Sequence, residues 1–200
     1  MSGLRTIEAT TAIFGGTFDP IHNAHLAVAR AAADRFGLGR VLFVPAAHPP
    51  HKAANTMAPF EDRVRMVELA CVTDPRFEVS RIEEGPEPSY SITTVEKLLA
   101  MGAGPVCFLI GADAFADIRS WHRWQDLVRL AAFIVVTRPE ASYEVPPRAT
   151  VYELSGLDLG VSSSGVKEML PARGETAPLP PAVLAYIRQR GLYQTILYSR

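Results

Sequence analysis

Cysteine is scarce in this 200-residue chain, which has only Cys71 and Cys107, both in apolar surroundings and without ligand-like spacing. That excludes a disulfide scaffold and a cysteine-based zinc site, and it points to buried free thiols in a reducing compartment. An excess of charge of one sign is also lacking. Lys and Arg number 20 against 21 Asp and Glu, a formal net charge of -1. No broad positive field exists to hold nucleic acid, so phosphates must be met by a local cluster. Long apolar runs are absent too. The richest stretches, 106–110 and 131–136, are strand-sized, whereas a bilayer-spanning helix needs about 20 residues. No membrane partner is expected. Residues 1–11 include Arg5 and Glu8 and lack the basic segment and apolar run of an export signal, so a cytoplasmic location is expected.

The chain does have enough apolar material, 48% of its residues, to bury the core of one α/β domain without disulfides or metal. A single domain over 1–200 is expected, since no repeat, low-complexity tract or second boundary interrupts the sequence. Short β-rich runs at 11–14, 41–44, 77–80, 106–110, 133–137 and 150–153 alternate with helical periods at 26–36, 59–72, 93–101 and 125–130. Strands joined by crossover helices make a doubly wound parallel sheet. Two further helices close the chain, one from about Ser163 and one over 182–190, where Gly191 is a stop signal. Residues 45–59, with four prolines, and 138–149, with three, read as loops able to cover a site.

Directly after the first strand comes Gly15-Gly16-Thr17-Phe18-Asp19-Pro20-Ile21-His22-Asn23-Ala24-His25, within which a helix begins. Glycines let backbone approach a ligand, and free N–H groups at a helix start favour an anion. His22 and His25 are three apart and share a face if both lie on the first turn. There they can donate to phosphate oxygens and meet charge developing as a phosphorus–oxygen bond breaks. A generic strand–turn–helix joint is the plainer reading of the glycines. Half a metal site is another for the histidines, but no third and fourth ligand follows at suitable spacing. Gly-Gly-Thr-Phe-Asp also does not supply the Gly-x-Gly-x-x-Gly of hydride-transfer enzymes.

This segment resembles the signature of the nucleotidyltransferase superfamily, Gly-[Thr/Ser]-Phe-Asp-x-x-His-x-Gly-His. Further segments are similar to bacterial nicotinate mononucleotide adenylyltransferases: Pro49-Pro50-His51-Lys52, Asp62-Arg63-Val64-Arg65-Met66, Pro88-Ser89-Tyr90-Ser91, Ile110-Gly111-Ala112-Asp113 with Trp121, Val161-Ser162-Ser163-Ser164-Gly165-Val166-Lys167, and the ending Ala185-Tyr186-Ile187-Arg188-Gln189-Arg190-Gly191-Leu192-Tyr193. The resemblance implies a Rossmann-like nucleotidyltransferase fold with C-terminal helices. It also implies transfer of the adenylyl group of ATP to nicotinate mononucleotide, with magnesium bound through ATP phosphates and water and without a protein metal ligand. A homo-oligomer is left open. Nicotinamide mononucleotide, phosphopantetheine or a cytidylyl donor on the same fold, or a nucleotide-binding protein without turnover, remain alternatives.

By the same resemblance, His22 and His25 hold the ATP phosphates and stabilise the transition state, with Gly15, Gly16, Thr17 and Phe18 beside the nucleotide. Ser163, Ser164 and Lys167 form a second phosphate-binding motif, although Ser162 or Ser163 equally suits a helix cap. Asp113 accepts from the adenosine ribose, with a cap for 114–117 as its rival role. Trp121 stacks on the pyridine ring, while Trp124 reads as core. Ser91 approaches the nicotinate carboxylate, Lys52 reaches the phosphates unless it is a solvated surface lysine, and Arg138 contacts substrate. Ala24 stands where the family has glycine, Lys167 where it has arginine, Thr93 where many members are acidic and Val161 where isoleucine is usual. If the histidine assignment holds, His25→Ala lowers turnover by about two to four orders of magnitude with little loss of folding. Steady-state rates on the folded variant check this, and unchanged turnover removes the role.

Overall fold

Six parallel strands follow the order β3-β2-β1-β4-β5-β6, with β1 (Thr11–Gly16), β2 (Arg40–Pro45), β3 (Phe77–Val79), β4 (Val106–Gly111), β5 (Ala131–Val136) and β6 (Val151–Leu154). The computed structural model describes residues 7, 11–49, 58–138, 142–157, 162–170 and 177–193. Parallel strands buried on both faces read as continuous apolar runs, which is why the sequence marks them clearly. Successive side chains alternate between two cores. Ala12, Val41, Phe43, Cys107, Leu109, Ile134 and Val136 face one core, and Ile13, Leu42, Val44, Phe108, Ile110, Phe133 and Val135 the other.

Helices cover both faces. The first core takes in α1 (Asn23–Phe36), α2 (Phe60–Cys71), α6 (Ser163–Met169) and α7 (Pro181–Arg190) through Ala29, Met66, Val166 and Ile187. The second takes in α3 (Ser91–Ala100), α4 (Ala112–Ala116) and α5 (Trp124–Leu130) through Val95, Phe115 and Leu127, with a 3-10 turn at Ile118–Ser120. Among the described residues, no helix is long and apolar enough to cross a membrane. Both cysteines are free and buried, and burial pushes each thiol up to about 12.

Where the structure departs from the sequence reading, it does so at element ends and in α4, a single short helix that apolar period alone does not announce. Helix α1 starts three residues before the apolar period does, because its first turn carries the polar His22–His25 segment. Gly15 and Gly16 extend β1, since pairing with β2 runs on to Gly16↔Pro45. Gly191, with φ 63, ends α7 in the left-handed conformation expected of a helix stop. Apart from Pro45, which ends β2, the two expected loops contain no helix or strand among their described residues, although 50–57 and 139–141 fall outside the description.

Two features of this sheet position the site. Pairing of β1 with β4 stops at Ile13↔Phe108, while β4 continues beside β5 to Gly111↔Val136. The carboxyl halves of β1 and β4 therefore part, at the point where strand order reverses and doubly wound folds hold their ligands. The second feature is a latch from α7. Asp62 of α2, though buried, accepts from the Tyr186 hydroxyl at 2.7 Å and Arg190 Nε at 3.1 Å, tying α7 to α2.

Candidate active site

At the mouth of the β1–β4 crevice the backbone turns sharply. Phe18 has φ 48, a left-handed conformation that costs a non-glycine residue about 1–2 kcal/mol. Its buried ring packs edge-on against Phe14 at 5.7 Å and His25 at 5.2 Å. The same ring explains Gly16, because a Cβ there would stand 3.1 Å from Phe18 Cζ. Gly15 is exposed, and a Cβ built on it meets nothing within 4 Å. Thr17 is half-buried and Asp19-Pro20 is a cis peptide.

His22 is the N-cap of α1 and His25 its third residue, so the two imidazoles do share a face. Their rings stack with centroids 3.7 Å apart and planes 21° apart. The His22 backbone N–H donates to His25 Nδ1 at 3.2 Å. A nitrogen that accepts cannot carry the proton, so neutral His25 bears it on Nε2. His22 is 4% exposed, and its Nδ1 has no hydrogen-bond partner among the described residues. Burial lowers its pKa to about 4, so at neutral pH it is an uncharged imidazole able to donate to an anion.

Behind the turn lies a buried polar scaffold. Asp19, 4% exposed, accepts on Oδ1 from the Ala58 N–H at 3.1 Å and the Tyr193 hydroxyl at 2.7 Å, and its Oδ2 pairs with Lys167 Nζ at 3.3 Å. Arg63, 2% exposed, donates from Nη1 to the Thr17 and Ala46 carbonyls at 2.7 and 2.8 Å and from Nε to the Ala58 carbonyl at 3.2 Å. Burial depresses the Arg63 pKa, and the charge of Asp19 works against that depression. No functional role follows for Asp19, Arg63 or Tyr193 from the sequence motifs that contain them. Their signal is charge inside an apolar period, since Arg63 shares a helix face with buried Met66, Val67 and Ala70.

The remaining sequence-selected residues divide by location. Asp113 is exposed on the first turn of α4, just past the end of β4 and across the crevice from Gly15 and Gly16. Gly111, not Asp113, is that helix's N-cap, so the rival cap role for 114–117 is not the one adopted. Ser162 caps α6 by accepting from the Gly165 N–H at 3.1 Å, which leaves the Ser163 hydroxyl to donate to the Pro20 carbonyl at 3.2 Å. Ser164 is exposed. These contacts bring α6 against the glycine turn. Ser91 opens α3, and Arg138 is exposed beyond β5. Trp121 is half-buried on the second core, and Trp124 is also only half-buried there, so burial does not separate the two indoles. Lys52 lies outside the described residues. Two contacts here were not foreseen. Tyr90 stacks on His122 with centroids 4.3 Å apart, and the Thr94 hydroxyl donates to Glu83 at 2.6 Å.

A parallel sheet with a histidine-bearing turn at its switch point suits a nucleotide-binding fold, and the cytidylyltransferase-like family model, which matches residues 13–169, makes the chain a nucleotidyltransferase. A Solibacter usitatus (strain Ellin6076) protein named probable nicotinate-nucleotide adenylyltransferase is 60% identical over 185 residues, 91% of this chain and 98% of its own. A Roseiflexus sp. (strain RS-1) protein of the same name is 39% identical, over 94% and 99% of the two chains. The fold is also that of Plasmodium falciparum nicotinic acid mononucleotide adenylyltransferase, solved in complex with NaAD, at a TM-score of 0.76 and 20% identity over 92% of this chain and 96% of that one. The chain belongs to the nicotinate-nucleotide adenylyltransferase family.

The buried imidazole makes a prediction for pH. Below the ordinary histidine value of about 6.5 an unfolded chain takes up a proton at His22, whereas the folded chain does so only near 4. Stability of the ligand-free protein therefore falls as pH drops from about 6.5 to about 4, by about 3 kcal/mol from this group. His22→Asn flattens the slope over that window, as urea unfolding at stepped pH would read. Equal slopes in variant and wild type contradict the assignment.

Proposed function

We propose that this chain transfers the adenylyl group of ATP to nicotinate mononucleotide, forming nicotinate adenine dinucleotide and pyrophosphate, within a single domain and in the cytoplasm. The observation that carries this reading is the stacked His22–His25 pair at the β1–β4 crevice, in a chain 60% identical to a relative of that name.

The chemistry follows from the donors present. An ionised phosphate is already a nucleophile, so its oxygen attacks the α-phosphorus of ATP in line while the bond to the β-phosphate oxygen breaks and pyrophosphate leaves. No general base and no covalent intermediate are needed, and catalysis is positioning plus charge stabilisation. His25 Nε2–H and the uncharged, desolvated His22 supply donors whose strength grows as negative charge approaches. Gly15, Gly16, Thr17 and Phe18 line the nucleotide's approach. Ser164 and Lys167 serve the phosphates from α6, with Ser163 joining them on giving up its hydrogen bond to the Pro20 carbonyl, and Asp113 serves the ribose. Ser91, Trp121, Arg138 and Lys52 serve the pyridine nucleotide.

A divalent cation fits this donor set as a passenger of the triphosphate. Among the described residues no three His, Cys, Asp or Glu side chains group to hold a metal, and a magnesium ion readily keeps phosphate oxygens and water as its ligands. When bound, it neutralises phosphate charge.

Pyrophosphate release from ATP and Mg²⁺, run with nicotinate mononucleotide, nicotinamide mononucleotide and phosphopantetheine, tests the proposal. A strong preference for the nicotinate acceptor is expected. Preference for another acceptor overturns the substrate, and no release with any of the three overturns the reaction class.

A further inference from the structure

The chain's last described residue reaches the catalytic turn from behind. Tyr193 is buried, and its hydroxyl donates to Asp19 Oδ1 at 2.7 Å. The opposite oxygen of that carboxylate pairs with Lys167 Nζ at 3.3 Å, where the lysine side chain is 15% exposed. Lys167 belongs to α6, whose Ser163, four residues earlier, donates to the Pro20 carbonyl beside Asp19. One face of α6 is thus docked on the Asp19-Pro20 pair through two side chains at i and i+4.

A second observation marks the same carboxylate. Tyr193 has φ 64 and Phe18, the neighbour of Asp19, has φ 48. Both are non-glycine residues in the left-handed region, where backbone strain persists only when surrounding structure fixes it, and such strain gathers at functional sites. Strain therefore stands on both sides of one hydrogen bond.

We infer that Tyr193 is a positioning residue for the transfer reaction: its hydroxyl fixes the Asp19 carboxylate so that the far oxygen sets where the Lys167 cation stands as the triphosphate enters. The inference rests on the adenylyltransferase reading and extends it to Tyr193, just past the α7 stop at Gly191. Oδ1 accepts from the Ala58 N–H and the Tyr193 hydroxyl, and Oδ2 faces the Lys167 ammonium. Loss of the hydroxyl removes the shorter of these two Oδ1 hydrogen bonds and loosens the orientation of the carboxylate that faces Lys167. A lysine is a point charge on a flexible stem, without the arginine fork that fixes its own geometry, so it depends on such a partner.

The test is a double-mutant cycle on the full chain with Tyr193→Phe, Lys167→Ala and the pair, reading initial rates, ATP affinity by calorimetry and melting temperature. Tyr193→Phe should lower kcat/KM for ATP by about tenfold, the size of one hydrogen bond to a charged group. It should leave the KM for nicotinate mononucleotide within about twofold. In the Lys167→Ala background the same change should have less than about a twofold effect, since interacting residues are not additive. Wild-type kcat/KM in folded Tyr193→Phe, or additive effects in the pair, overturns the inference. If the wild type itself shows no turnover, the adenylyltransferase reading fails, and the same cycle read as ATP dissociation constants still decides the coupling. Should Tyr193→Phe not fold, Tyr193→His, which keeps a ring but moves the donor, takes its place in the cycle with Lys167→Ala. Additivity of the two then overturns the inference, and non-additivity supports it.

Discussion

Arg63 is a guanidinium only 2% exposed, and the geometry of the turn between β1 and α1 depends on how its charge is satisfied. Removing such an ion from water costs several kcal/mol unless partners surround it. Here the Thr17, Ala46 and Ala58 carbonyls accept its N–H groups, and the charge of Asp19 favours its ionised form. Those carbonyls belong to the turn after β1, the loop after β2 and the approach to α2. One planar group therefore ties the approach to α2 to the ends of β1 and β2, which are themselves joined by the Ala46 N–H donating to the Gly16 carbonyl at 2.9 Å. A lysine cannot reach in three directions from one plane.

Around that centre the buried carboxylates work as connectors. Asp62 and Arg63 are neighbours in α2 yet point to different tasks, Asp62 to the C-terminal helix and Arg63 to the turn. Asp19 gathers Ala58, Lys167 and Tyr193. The turn between β1 and α1 is thus braced by residues far along the chain, Lys167 and Tyr193, and α7 is tied to α2 beside it. The result is a turn held firmly enough to keep Phe18 left-handed and two imidazoles stacked. A buried, neutral His22 is a desolvated donor, the kind of group the proposed transfer would use against developing negative charge.

Much of this was legible in the sequence, for physical reasons that differ by element. The strands are legible because parallel strands are apolar throughout, and the His22–His25 face because a three-residue spacing at a helix start leaves little freedom. The stop at Gly191 is legible from its backbone freedom. Helix α4 is not, since five residues at a strand end carry no period, nor is the early start of α1, which polar residues mask. The scaffold is the least legible part. Asp19, Arg63 and Tyr193 meet across separations of more than 40 and more than 170 residues, and no local pattern encodes such a meeting. Only the anomaly of a charge on the apolar stripe of α2 hints at it. Likewise, two half-buried tryptophans on one core cannot be told apart by hydrophobicity.

The most direct measurement is the turnover of Arg63→Lys, a variant that keeps the buried charge and loses the planar fork. Displacing reacting groups by about 1 Å costs on the order of a hundredfold in rate. If the guanidinium holds the turn in register, the variant still unfolds cooperatively while its kcat falls by about that factor. Wild-type turnover in the folded variant would show that the turn keeps its geometry without Arg63, contradicting the dependence of the site on that one buried group.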